Sequence, residues 1–95
     1  MTAAPDAEQI AKVLRAYLTD GRLRVLPRPG RKRQIVLEHL VQRFEPGVKY
    51  PEVDVNLLLR QAWPDVAALR RYLVDAGLLE RRDGVYWRAG GPVEV

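Results

Sequence analysis

The 95 residues predict one domain, mainly α with a small β-hairpin. Three observations carry that prediction. Apolar residues recur at spacings of three and four over four separate stretches, the period of a helix with one buried face. Pro, Gly and Asp residues stand between those stretches and stop each helix before the next begins. Near the C-terminus Asp83-Gly84 separates two short β-prone runs, and that pair is the strongest two-residue hairpin signal because both residues tolerate positive φ.

The first helix spans Ala7 to Thr19, with Ile10, Val13, Leu14, Tyr17 and Leu18 on its inner face, and Asp20-Gly21 ends it. Arg22 to Leu26 alternates weakly, and Pro27, Pro29 and Gly30 forbid a continuing helix, so residues 20–30 read as an extended arm that pairs at a sheet edge. The second helix runs from Arg31 to about Phe44, burying Leu37, Leu40, Val41 and Phe44 with help from Ile35 or Val36, and stops at Glu45-Pro46-Gly47. Val48-Lys49-Tyr50 is long enough only for a minimal strand. Pro51 then suits the first turn of a third helix, where its missing N–H costs nothing. Glu52 and Asp54 in that turn favour the helix dipole, and Val55, Leu58, Leu59 and Ala62 share the inner face.

Trp63-Pro64-Asp65 is a tight turn in which Asp65 caps the fourth helix, Val66 to Ala76. Val66, Leu69 and Leu73 point inward, Gly77 terminates the helix, and Leu78 follows at the position of a hydrophobic C-cap contact. In the hairpin, Arg82 faces Val85, Arg81 faces Tyr86 and Glu80 faces Trp87. Val85 and Trp87 are expected against the helices, with Arg81, Tyr86 and Arg88 on the other face beside Leu79. From Arg31 onward the order is helix, minimal strand, helix, helix, hairpin, which is the winged helix-turn-helix order, here with an extra N-terminal helix and arm. The expected division is an unstructured 1–6, a helix and basic arm over 7–30, a winged-helix core over 31–88 and a flexible tail over 89–95.

Composition narrows the function. With 47% hydrophobic and 29% charged residues the chain folds rather than remaining disordered. It contains no cysteine, which removes disulfides, thiolate ligands and thiol nucleophiles and fits the reducing cytoplasm, the expected location. No basic and apolar leader stands at the start and no apolar run is long enough to span a bilayer, so neither secretion nor a membrane partner is expected. His39 is the only histidine, and neither serine nor a Gly-rich phosphate loop occurs. No enzymatic activity, metal or cofactor is therefore expected. The net charge of +4 comes from an excess of arginine and favours polyanionic partners.

Several separated motifs point the same way: Asp20-Gly-Arg-Leu with Pro27, Arg31-Lys-Arg33 leading into Val36-Leu37, Phe44-Glu-Pro-Gly47 with Tyr50, the run Asp65 to Asp75, and Gly84 with Tyr86-Trp87. Over roughly residues 10 to 88 they closely resemble the bacterial family known as domain of unknown function 2087. That resemblance implies a small winged-helix-like domain, found alone or fused behind ArsR-type repressor domains and usually labelled a transcriptional regulator. The chain departs from the pattern at Pro51, where the family more often has a threonine-like cap, and at Trp63-Pro64, which replaces a more polar turn.

Three basic groups are candidates for nucleic-acid contact. Arg22, Arg24, Arg28, Arg31, Lys32 and Arg33 form a cluster with no acid between Asp20 and Glu38, suited to holding phosphates through Arg forks and free helix N–H groups. Arg70 and Arg71 on the fourth helix are the side chains there able to read a base edge. Arg81, Arg82 and Arg88 surround Tyr86 on the hairpin, a pattern that suits backbone contact or base stacking, with core packing the simpler role for the ring. The nucleic-acid-binding set is thus Arg28, Arg31, Lys32, Arg33, Arg70, Arg71, Arg81, Arg82 and Tyr86. The expected function is a DNA-binding transcriptional regulator domain. The alternative is a winged-helix protein–protein interaction or dimerisation module without DNA binding, using the apolar N-terminal helix; RNA binding is a third reading. Expected partners are accordingly DNA or RNA, and a second copy or a partner repressor.

Overall fold

In the computed structural model of the chain, which describes residues 6–89, helix α1 (Ala7–Tyr17) starts where the Asp6 carboxylate accepts the Gln9 N–H at 2.8 Å. That bond satisfies one of the donors a helix start leaves open. The helix does not reach Thr19. Leu18–Thr19 (β1) instead pairs antiparallel with Arg22–Leu23 (β2), so the arm begins as its own tiny hairpin and not at the edge of a larger sheet. The reason is the Asp20-Gly21 turn: φ of 52° and 81° repeats the left-handed pair found at Asp83-Gly84, 54° and 77°. Two such residues in succession reverse a chain into a twisted hairpin.

Helix α2 (Arg31–Leu40) ends earlier than Phe44 by tightening into a 3-10 turn, Val41–Arg43, closed by the Phe44 N–H on the Val41 carbonyl at 3.0 Å. The apolar pattern is unaffected, and Ile35, Val36, Leu37, Leu40, Val41 and Phe44 are all buried. Lys49–Pro51 (β3) leads directly into α3 (Glu52–Arg60), with Pro51 as its cap residue. Helix α4 (Val66–Asp75) is capped by Asp65, which accepts the Ala68 N–H at 3.1 Å. It closes with the paired bonds of a Schellman motif, Leu78 N–H to Leu73 carbonyl and Gly77 N–H to Val74 carbonyl.

Leu79–Arg82 (β4) and Val85–Arg88 (β5) form the expected hairpin in the expected register, and β3 joins β5 on its other side. The described chain thus has four helices and two small antiparallel sheets, more β pairing than a single hairpin. The hairpin faces are the reverse of those expected. Leu79 and Tyr86 are buried, and Val85 and Trp87 lie half-buried on the opposite side. Leu79 follows the α4 stop too closely to face away from the core, and the register then carries Tyr86 inward with it. Of the termini expected to lack structure, Asp6 caps α1 and the Ala89 N–H donates to the Leu78 carbonyl at 2.9 Å. Residues 1–5 and 90–95 lie outside the described residues. No described helix is long and apolar enough to cross a membrane.

The α4 cap gives a direct test. Asp65→Ala is expected to lower stability by about 1 kcal/mol, and Asp65→Gly by only a few tenths. Urea unfolding of both variants checks this, and an Asp65→Ala variant as stable as the wild type would show that the carboxylate does not cap the helix.

Candidate functional site

The cap and the Schellman stop set the rotation of α4 about its axis, with Leu69 and Leu73 fully buried. This geometry leaves Ala67, Arg71 and Asp75, spaced four apart, exposed on the outer side. Arg70 lies between the two sides and is drawn inward. Its Nη1 donates to Asn56 Oδ1 at 2.5 Å, its Nη2 is 3.8 Å from Glu52 Oε2, and its guanidinium sits 5.9 Å from the Tyr86 ring centre. The Tyr86 hydroxyl donates to the other Glu52 oxygen at 3.0 Å. These contacts tie α3, α4 and β5 together. They also correct two sequence expectations: Tyr86, 1% exposed, offers no ring for stacking, and Arg70, 19% exposed, is already partnered.

Between α4 and the hairpin lies a cleft of about 320 Å³ lined by Ala67, Arg70, Arg71, Asp75, Arg81 and Tyr86 among others. Three guanidiniums there meet a single carboxylate. Arg81 is exposed on its rim, and Arg82 is exposed at the hairpin turn; neither has a hydrogen-bond or ion-pair partner among the described residues. Arg88 is different. Its Nη1 donates to the Phe44 carbonyl at 3.3 Å, joining β5 to the end of the 3-10 turn.

The arm that reads as one basic cluster is divided by the fold into three uses. Arg22 and Arg24 are structural: Arg22 donates to the Gln61 carbonyl at 3.1 Å, and Arg24 caps α1 by donating to the carbonyls of Arg15 and Ala16 and to Thr19 Oγ1. Such carbonyls have no acceptor role left within the helix, so a cation beside them is favoured twice. Arg33 turns toward α4. Its Nε donates to the Pro27 carbonyl at 2.8 Å, and its guanidinium stacks 4.4 Å from the Tyr72 ring centre. Arg71 lies 6.0 Å from the same ring. Arg28, Arg31 and Lys32 face the other way, lining hollows shared with Tyr17 of α1, and have no polar partner among the described residues.

The structure therefore brings together Arg33, Arg71 and Arg81 around α4, and separates Arg28, Arg31 and Lys32 from them. Tyr72, the ring that joins Arg33 to Arg71, is absent from the sequence-derived set. Its place beside Arg70-Arg71 at the border of the buried face was the available signal. Among the described residues no three of His, Cys, Asp and Glu converge as a metal site.

A sequence model of a bacterial family of uncharacterised proteins, DUF2087, matches residues 22–88, well over half of the chain. The chain belongs to that family. No curated protein and no solved structure matches it. The DUF2087 segment takes in the arm from Arg22, α4 and both strands of the hairpin, and leaves α1 outside it.

The Tyr86–Glu52 bond in this DUF2087 domain is testable by a double-mutant cycle. Tyr86→Phe and Glu52→Ala, measured singly and together by urea unfolding, are expected to couple by about 0.5–1.5 kcal/mol. Simple additivity would show that Glu52 does not hold the hydroxyl.

Proposed function

We propose that the chain is a nucleic-acid-binding domain of transcription-regulator type, with a winged helix-turn-helix fold that presents α4 to duplex DNA. The observation that carries this reading is the meeting of basic residues from three elements around α4: Arg33 of α2 through Tyr72, Arg71 on the helix itself, and Arg81 of β4 across the cleft. The element order supports the same reading, because α2, α3 and α4 form a three-helix unit with a hairpin beside its last helix. In this arrangement Arg71 reaches a base edge, with guanine the best fit to its paired donors. Arg33, Arg81 and Arg82 hold phosphates on either side, and Arg28, Arg31 and Lys32 add attraction at longer range. Asp75 opposes phosphate within the cleft and restricts how closely the backbone approaches it. A single domain of this size covers one half-site, so a second copy or a fused partner supplies the other.

A second reading, protein association without nucleic-acid contact, is favoured by α1. Its residues Ile10, Val13, Leu14 and Tyr17 are only half-buried.

Fluorescence anisotropy with duplex DNA at two salt concentrations decides between them. Three phosphate contacts, by Arg33, Arg81 and Arg82, give a slope of log affinity against log salt of about −2.7, and Arg81→Glu with Arg82→Glu is expected to flatten it by about 2. Absence of binding at low salt, together with a mass that rises with concentration by sedimentation, would favour the association reading instead. RNA in place of DNA under the same conditions separates the two nucleic acids.

A further inference from the structure

On the far side of the arm from α4, the start of α2 and the face of α1 enclose two adjoining hollows of about 430 and 610 Å³ that share Tyr17, Arg31 and Lys32. We infer that this trough binds a small organic anion with an apolar body, an aryl or acyl carboxylate or sulfonate. The inference does not rest on the nucleic-acid reading, because it concerns a different surface.

Size, wall chemistry and charge each narrow the ligand. Each hollow lies within the range of about 300–1,000 Å³ typical of small-molecule sites, and both are open to solvent for entry. One wall is apolar, formed by Val13, Tyr17 and Ile35 where α1 packs on α2. Around it stand Lys12, Arg28, Arg31 and Lys32, and no lining residue is acidic. None of these cations has a hydrogen-bond or ion-pair partner among the described residues, in contrast to Arg22, Arg24 and Arg33 of the same arm. A bare phosphate leaves the apolar wall unused, and a neutral apolar molecule leaves the cations uncompensated. An oxyanion on an apolar body uses both, with the Arg31 fork suited to paired contact with carboxylate or sulfonate oxygens.

The test uses the whole chain and 8-anilinonaphthalene-1-sulfonate as the probe, followed by fluorescence and by amide chemical shifts. One saturable site is expected, displaced by decanoate, with the largest shifts at Lys12, Tyr17, Arg31 and Lys32. Arg31→Glu with Lys32→Glu is expected to weaken the probe about tenfold or more. Acidic residues in the first turn of α2 favour its dipole, so that loss does not come from unfolding, and Lys12→Glu on the neighbouring helix provides an independent second variant. Arg81→Glu is expected to leave the affinity in place. The proposal is overturned by absent or non-saturable binding, or by shifts centred on the exposed apolar pair Val53 and Leu57 of α3. It is equally overturned by the same loss in Arg81→Glu, or by displacement of the probe by duplex DNA.

Discussion

Tyr86 carries a hydroxyl into the core, and a buried hydroxyl left without a partner costs about 1–3 kcal/mol. Glu52, the first residue of α3, accepts it, and with its second oxygen attracts Nη2 of Arg70 on α4, whose Nη1 donates to Asn56. Three elements are thereby referred to one carboxylate that is itself 46% exposed. The consequences reach the surface. Because Tyr86 turns inward, Trp87 turns outward, donates to Glu80 at 3.1 Å and lies under Lys49. Because Arg70 is engaged, Arg71 is the cation α4 presents to solvent. One internal polar knot thus selects which basic groups around α4 are available.

Much of the fold was legible because its punctuation is chemical. Asp65 and Gly77 frame α4 within a residue of the expected ends, since a carboxylate that caps and a glycine that reverses the chain each act locally. The hairpin register followed for the same reason, as Asp83-Gly84 fixes both turn and pairing. The same dipeptide at Asp20-Gly21 read only as a helix stop, because two-residue strands leave no alternation to detect. The hairpin faces were misread for a different reason. Val85 and Trp87 are the more apolar pair beside Tyr86, yet Leu79, fixed by the chain leaving α4, decides the face, and that is a tertiary constraint.

The candidate site was legible in its residue types and not in its directions. Six cations within twelve residues form one patch on paper. In space the orphan carbonyls at the end of α1 take Arg24, the Gln61 carbonyl takes Arg22, and the Tyr72 ring takes Arg33. Gln61 is remote in sequence, Tyr72 is an aromatic whose orientation sequence does not state, and the α1 carbonyls come within reach of Arg24 only because the Asp20-Gly21 turn folds the arm back on the helix. What survives as uncommitted charge, Arg28, Arg31 and Lys32, is half of the original cluster and faces a different neighbour.

That residue of uncommitted charge lies where the fold least tolerates it. The first turns of α1 and α3 carry acidic residues and α4 is capped by Asp65, whereas α2 starts with Arg31, Lys32 and Arg33, no acid, and no side-chain cap at Gly30. Cations at the positive end of a helix dipole oppose its formation. Arg33 escapes part of the penalty by spreading its charge over the Tyr72 ring and the Pro27 carbonyl. Arg31 and Lys32 do not. Their mutual repulsion and their conflict with the dipole persist in the isolated domain, and an anion seated beside them relieves both at once. The arm is therefore the segment in which folding and ligand binding are most directly linked: the interaction that strains α2 alone becomes favourable when a negative group arrives.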